Sequence, residues 1–148
     1  MSDQINQALQ HIRNLLVNNT DFSALIASGS VMTGHPKTAD LPAIPMPLVI
    51  LDVAAGVPGA AGVPLQQLSL DVYVYSRVSQ AEAFSVYEAA RGLLNMARLH
   101  SPVTSNGVQV NSTSGYMRES QRPSGGWNDQ ISAWYAKGQF IVYTATRL

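Results

Sequence analysis

The chain has no cysteine, which removes disulfides, thiolate metal sites and thiol nucleophiles together. Charge is scarce too. Only 12% of its 148 residues are Asp, Glu, Lys or Arg, and nine basic residues cancel nine acidic ones. The basic footprint that a general nucleic-acid binder requires is missing, so DNA binding is not expected as the main activity. Apolar stretches such as Leu48–Leu51 fall far short of the ~20 residues that span a bilayer. Met1-Ser2-Asp3-Gln4 offers neither the basic nor the apolar segment of a signal peptide. The expectation is a soluble intracellular protein with no membrane partner.

What remains is a chain in which 46% of residues are hydrophobic. That suffices to bury a core in one domain spanning residues 1–148 without a disulfide or a structural metal. With so little charge and none of it net, like-charge repulsion does little to keep copies apart. The composition fits a subunit that hides surface in an assembly.

Ile5, Ala8, Leu9, Ile12, Leu15 and Leu16 recur at three- and four-residue intervals and predict an amphipathic helix from Asp3 to Val17. After Asn18-Asn19, Thr20 or Asp21 can cap a second, short helix through Phe22, Leu25 and Ile26 that ends near Gly29. Residues 32–47 carry Gly34, Pro36, Pro42, Pro45 and Pro47 and read as extended or irregular. Leu48–Val53 is a β-rich apolar run. Gln67–Arg77 alternates, with Leu68, Leu70, Val72 and Val74 on one face and Ser69, Asp71, Tyr73, Tyr75 and Arg77 on the other. Between these strands, residues 54–65 are mostly Ala, Gly, Val and Pro and read as a long loop.

Ser79-Gln80-Ala81-Glu82 is a capping box, in which the serine oxygen takes the Glu82 amide and the glutamate reaches back to the serine amide. The helix it opens runs through Phe84, Val86, Tyr87, Ala90, Leu93, Leu94 and Ala97 and ends before Pro102, leaving Arg91 and Arg98 for solvent or a partner. Gly107–Val110 reads as a short strand that Ser112–Glu119 continues irregularly. Arg122-Pro123-Ser124-Gly125-Gly126 then reads as a hairpin turn within a second long loop, residues 119–128. The return strand is Gln130–Thr146, with Gly138 as a bulge or bend. The order α-α-β-β-α-β-β implies an α+β fold, a mainly antiparallel sheet of four to five strands with helices packed on one face.

No catalytic arrangement is complete. His11, His35 and His100 lie apart, none with a second His or a carboxylate at ligand spacing, so no metal site is expected. Nothing in the sequence pairs Asp71 with Glu82 or Glu88 as an acid and a base. Gly56, Gly59 and Gly62 invite comparison with a phosphate loop. Pro58 and Pro64 remove donor amides, however, no Lys-Ser/Thr pair follows, and the next element is a strand. Neither enzyme activity nor a cofactor is expected.

The run Leu68-Ser69-Leu70-Asp71-Val72-Tyr73-Val74-Tyr75-Ser76-Arg77, followed by Ser79-Gln80-Ala81-Glu82-Ala83, is the core of a likeness. Joined to the N-terminal helix and its short sequel, the strand Pro47–Val53 and the C-terminal Phe140-Ile141-Val142-Tyr143, it resembles the tail terminator and tail completion proteins of long-tailed bacteriophages. The resemblance covers most of the chain and departs at residues 54–64 and 122–127. It implies a homohexameric ring at the head–tail junction of the virion. Such a ring sits on the last ring of the major tail tube protein, stops tube polymerisation and presents the surface joined by a head completion or connector protein. DNA passes through it without specific recognition.

A ring needs two different adhesive surfaces on each subunit. Interfaces favour Tyr, Trp and Arg, so the candidates are the strand face of Asp71, Tyr73, Tyr75 and Arg77, together with the two long loops. Trp127, following two glycines, is placed to dock on a neighbour. Arg118 and Arg122 are read as protein contacts, because seven Arg against two Lys matches interface use better than phosphate tracking. Trp134 suits core and interface equally. Two other readings stay open: a neck or head-completion adaptor between portal and tail, and a small ligand-binding α+β domain with its pocket around Asp71, Tyr73 and Tyr75.

Overall fold

Alternation along four long strands decides the architecture, because one set of residues is buried under helices and the other faces a side that is only partly covered. The computed structural model describes residues 2–26, 30–37, 40–58, 65–105 and 108–147. Helices α1 (Ser2–Val17) and α2 (Thr20–Leu25) lead to strand β1 (Ser30–Thr33), a one-turn 3-10 helix (Leu41–Ala43), β2 (Leu48–Pro58) and β3 (Leu65–Ser76). Helix α3 (Gln80–Leu94), β4 (Arg98–Ser105), β5 (Val108–Asn128) and β6 (Ala133–Arg147) complete the chain. The strands form one sheet in the order β1-β2-β3-β6-β5-β4, antiparallel except for the parallel pair β1–β2. This is the α+β class expected, mainly antiparallel and with the helices on one face.

Two edge strands exceed the α-α-β-β-α-β-β order. β1 lies within what reads as irregular chain, since four residues give no periodic signal and its partner β2 is 18 positions away. β4 occupies the stretch assigned to the end of the long helix. That helix stops at Leu94, Met96 turns the chain with φ 66°, and Met96 N–H donates to the Met117 carbonyl at 2.7 Å to start the β4–β5 pairing.

Both long loops are shorter than expected. Residues 54–58 belong to β2, leaving only 59–64, with Gly59, Gly62 and Pro64, outside the described residues, as are Gly29 and Gly107. Residues 119–128 are strand. β5 shifts register between Glu119 and Gln121 and again between Gln121 and Ser124, which lets Arg122-Pro123 swell out opposite β6. The chain reverses at 129–132, where the Asn128 side chain accepts the Gln130 amide at 3.0 Å. Proline and glycine mark a bulge as readily as a turn, and here they mark the bulge.

Gly138 is accordingly not a bulge: it sits in register opposite Val72. It is bare because the Tyr87 ring and hydroxyl fill the space where its side chain would be. Helix starts also differ in detail. Asn19, not Thr20 or Asp21, caps α2 by accepting the Phe22 amide at 2.9 Å. Ser79 caps α3 as expected, accepting the Glu82 amide at 3.0 Å, but the Glu82 carboxylate takes the Ser76 hydroxyl at 2.8 Å rather than the Ser79 amide. Arg91 is partly exposed but not free, since its Nε donates to Glu119 at 2.9 Å.

The main core joins Ile12 and Leu16 of α1, Phe22 of α2 and Ala83, Val86, Tyr87, Ala90 and Leu94 of α3 to Val49, Leu51, Leu70, Val72, Val74, Met117, Phe140 and Val142 of the sheet. Each large apolar side chain so buried contributes ~1.5–3 kcal/mol. A second cluster lies on the opposite face, where Leu41, Leu48, Ile50, Tyr75, Ile131 and Ala133 meet. The edges carry interruptions to pairing. Gly34 N–H donates to the Leu51 carbonyl at 2.7 Å, so alternation turns the Val31 carbonyl of β1 outward, where the Arg13 guanidinium takes it at 3.1 Å. Pro102 interrupts the donors of β4, and Pro123 those of β5.

Gly138→Ala forces Tyr87 out of its seat. Overpacking of this kind costs about 1–3 kcal/mol, read as a lower urea midpoint with an unchanged denaturant slope.

Candidate functional site

Antiparallel pairing places Tyr73 opposite Lys137 and Tyr75 opposite Tyr135, all on the face away from the helices. The 3-10 helix and the 129–132 reversal cover one end of this face. Beside them an open depression of about 450 Å3 is lined by Tyr73, Tyr75, Tyr135 and Lys137, with Trp127, Asn128, Asp129 and Gln130 on its rim. Tyr73 and Tyr75 stack with ring centres 6.1 Å apart and planes 6° from parallel. The Lys137 ammonium lies 5.2 Å from the Tyr73 ring centre and 3.8 Å from Asp71 Oδ2. Hydrogen bonding to Tyr73 and the charge of Asp71 hold Lys137 above the usual lysine range, against the opposing effect of burial.

His35 reaches this face from the segment after β1. The parallel register sets Thr33 beside Leu51 and so brings His35 to Asp52, with Nδ1 3.3 Å from Oδ2, while Nε2 lies 3.4 Å from the Tyr75 hydroxyl. Its ring meets Tyr73 edge-on at 4.6 Å. The carboxylate partner absent at ligand spacing is thus supplied from 17 residues away. An Asp-His-Tyr chain has the outline of a nucleophile relay, but Tyr75 is wrongly poised: burial first, then Tyr73 and Tyr135, push it up from 10.0 to about 12. The relay pins the segment to the sheet. Among the described residues, no three His, Asp or Glu side chains are grouped to hold a metal ion.

The residues singled out from the sequence divide into two groups. Tyr73, Tyr75 and Trp127 converge on the depression, with Asp71 beside it. Tyr75 is 5% exposed and packs in the second cluster, and Asp71 is 8% exposed, with Oδ1 lacking a partner among the described residues. Arg77 is exposed, but its guanidinium donates to the Ile44 and Leu41 carbonyls at 3.1 and 3.3 Å and so ties the 3-10 helix down. Trp127 lies in strand, 46% exposed, edge-on to Trp134 at 4.6 Å, with its indole N–H donated to Asp129 at 2.5 Å. Arg118 and Arg122 are exposed farther along β5, away from the depression. Sequence reasoning missed His35, Tyr135, Lys137 and Asp129. Alternation from Tyr135 to Lys137 was the signal available for two of them; His35 needed the β1–β2 register.

No family model and no curated protein matches the chain. Among solved structures, it is similar to a chain in "Virion of native gene transfer agent (GTA) particle", with a TM-score of 0.60 and 17% identity over 92% of each chain. At that identity the likeness is one of fold.

The raised Tyr75 sets an alkaline limit. Below pH 10 both states keep the phenol protonated and the contribution is complete. Between pH 10 and about 12 the unfolded chain ionises while the folded chain does not, so stability is lost as pH rises. Tyr75→Phe makes that decline shallower, measured as urea midpoint against pH.

Proposed function

We propose that the chain is a structural subunit of a phage-like virion, a tail terminator or tail completion protein that closes into a ring on the end of the tail tube. The observation that carries the reading is the correspondence of fold with a chain of the gene transfer agent virion over 92% of both lengths, so that the whole domain matches rather than one common motif. The order of residues 68–83 and the flanking elements adds the terminator resemblance. Physical features fit the role. A neutral, apolar-rich chain tolerates close neighbours of its own kind. Its interrupted sheet edges favour contact through side-chain surfaces, which can hold a fixed angle between subunits and let a head-to-tail contact close.

In this role the subunit binds the tube through one surface of the ring and presents the other to the head-side connector. No chemistry is assigned to it: the Asp52-His35-Tyr75 chain ends on a phenol held protonated. A second reading, a small ligand-binding domain, draws on the depression of about 450 Å3. Its open, solvent-facing form and its rim of Trp127, Asn128, Asp129 and Gln130 fit a protein surface better.

Native mass measurement of the purified chain, alone and mixed with tail tubes of the same particle, decides between these. The expected result is a closed oligomer, hexameric by the resemblance, formed in solution or on tube ends, and tubes that no longer elongate. A chain that stays monomeric at micromolar concentration and leaves tubes free to grow would refute the proposal.

A further inference from the structure

The arginines are unequally used. Arg13 holds the Val31 carbonyl, Arg77 holds those of Leu41 and Ile44, and Arg91 holds Glu119. Arg118 and Arg122 are exposed and form no ion pair among the described residues. Arg118 pairs in register with Ile141, which alternation puts on the same sheet face as Tyr135 and Lys137. At the far end of β5, Trp127 presents its ring next to Asp129, whose Oδ1 takes the indole N–H and whose Oδ2 has no hydrogen bond among the described residues.

These two patches are complementary and cannot meet within one copy. Along a strand that rises about 3.3 Å per residue, Asp129 lies roughly 20–30 Å from Arg122 and Arg118. A guanidinium forks a carboxylate and stacks on aromatic faces, which is what the rim and floor of the depression offer. Lys137 already rests over Tyr73 and beside Asp71, so the groups left for an incoming guanidinium are the Trp127 ring and the Asp129 carboxylate. We infer that Arg118 and Arg122 of one copy seat against the Trp127–Asp129 rim of the next. The inference rests on the ring reading and deepens it by assigning both adhesive surfaces. Because each copy carries one of each, the contact is fully used either in a two-fold dimer or in a closed head-to-tail ring, and the ring reading selects the second.

The test is sedimentation of the full-length chain as wild type, Arg118→Asp, Arg122→Asp, Asp129→Arg, and Asp129→Arg combined with either arginine reversal. Circular dichroism checks that each exposed substitution leaves the fold intact. Each single reversal is expected to weaken self-association at least about tenfold, and one of the combined variants to recover to within a few-fold of wild type. Single reversals that assemble as well as an assembling wild type, or combined variants that never recover, would overturn the inference and leave the ring standing. A wild type that forms only a closed dimer, broken by single reversals and rescued by the combination, keeps the contact and overturns the ring. A wild type monomeric both alone and with tubes overturns both.

Discussion

Glu119 is the residue on which the helix layer depends. It sits on β5 with its carboxylate turned toward α3, where one oxygen accepts the Tyr87 hydroxyl at 2.6 Å and the other the Arg91 guanidinium at 2.9 Å, while its own amide donates to the Asn95 side chain at 2.8 Å. Burial, and next the hydrogen bond to Glu119, push the Tyr87 hydroxyl far above the usual tyrosine range, so it remains a donor. Three ties spread over the second half of one helix fix its rotation as well as its distance from the sheet. Gly138 completes the seat by leaving the strand flat beneath the ring. From that position the start of α3 delivers Glu82 to Ser76, the end of β3 is held, and Arg77 is presented to the 3-10 helix. Helix side and open side are thereby linked through a few side chains at the strand end.

Most of the fold was legible because most of it is periodic. The spacing of Ile12 and Leu16, the alternation from Leu68 to Val74 and the capping serine at 79 correspond to elements now seen. What escaped is local structure whose reason is non-local. β1 exists because β2 is beside it, and four residues ending at a glycine advertise nothing by themselves. Arg122-Pro123-Ser124-Gly125-Gly126 carries every mark of a reversal, yet Gly125 lies so close to Gln80, Phe84 and the Tyr135 carbonyl that a side chain has no room there. The glycine serves sheet-to-helix proximity. The true reversal, Asp129-Gln130-Ile131-Ser132, hides an isoleucine that is buried in the second cluster.

The site was legible in part for a similar reason. Alternation correctly put Asp71, Tyr73, Tyr75 and Arg77 opposite the main core, but it assigns a face, not that face's exposure. A second cover, drawn from the segment between β1 and β2, takes Tyr75 into the interior and converts Arg77 into a staple. Charge was the less readable quantity. Arg13, Arg77 and Arg91 look free in the sequence but are spent on carbonyls and one carboxylate, whereas Arg118 and Arg122 stay outward.

The interrupted edges of the sheet bear on how the protein behaves when concentrated. A protein with almost half its residues hydrophobic and no net charge has little colloidal protection while it accumulates in the cell. Long strands would ordinarily be templates for fibrous stacking. The Arg13 guanidinium over β1, Pro102 in β4 and the Pro123 bulge in β5 interrupt the rows of donors and acceptors on these strands. Contact through side-chain surfaces is thereby favoured over cross-β growth.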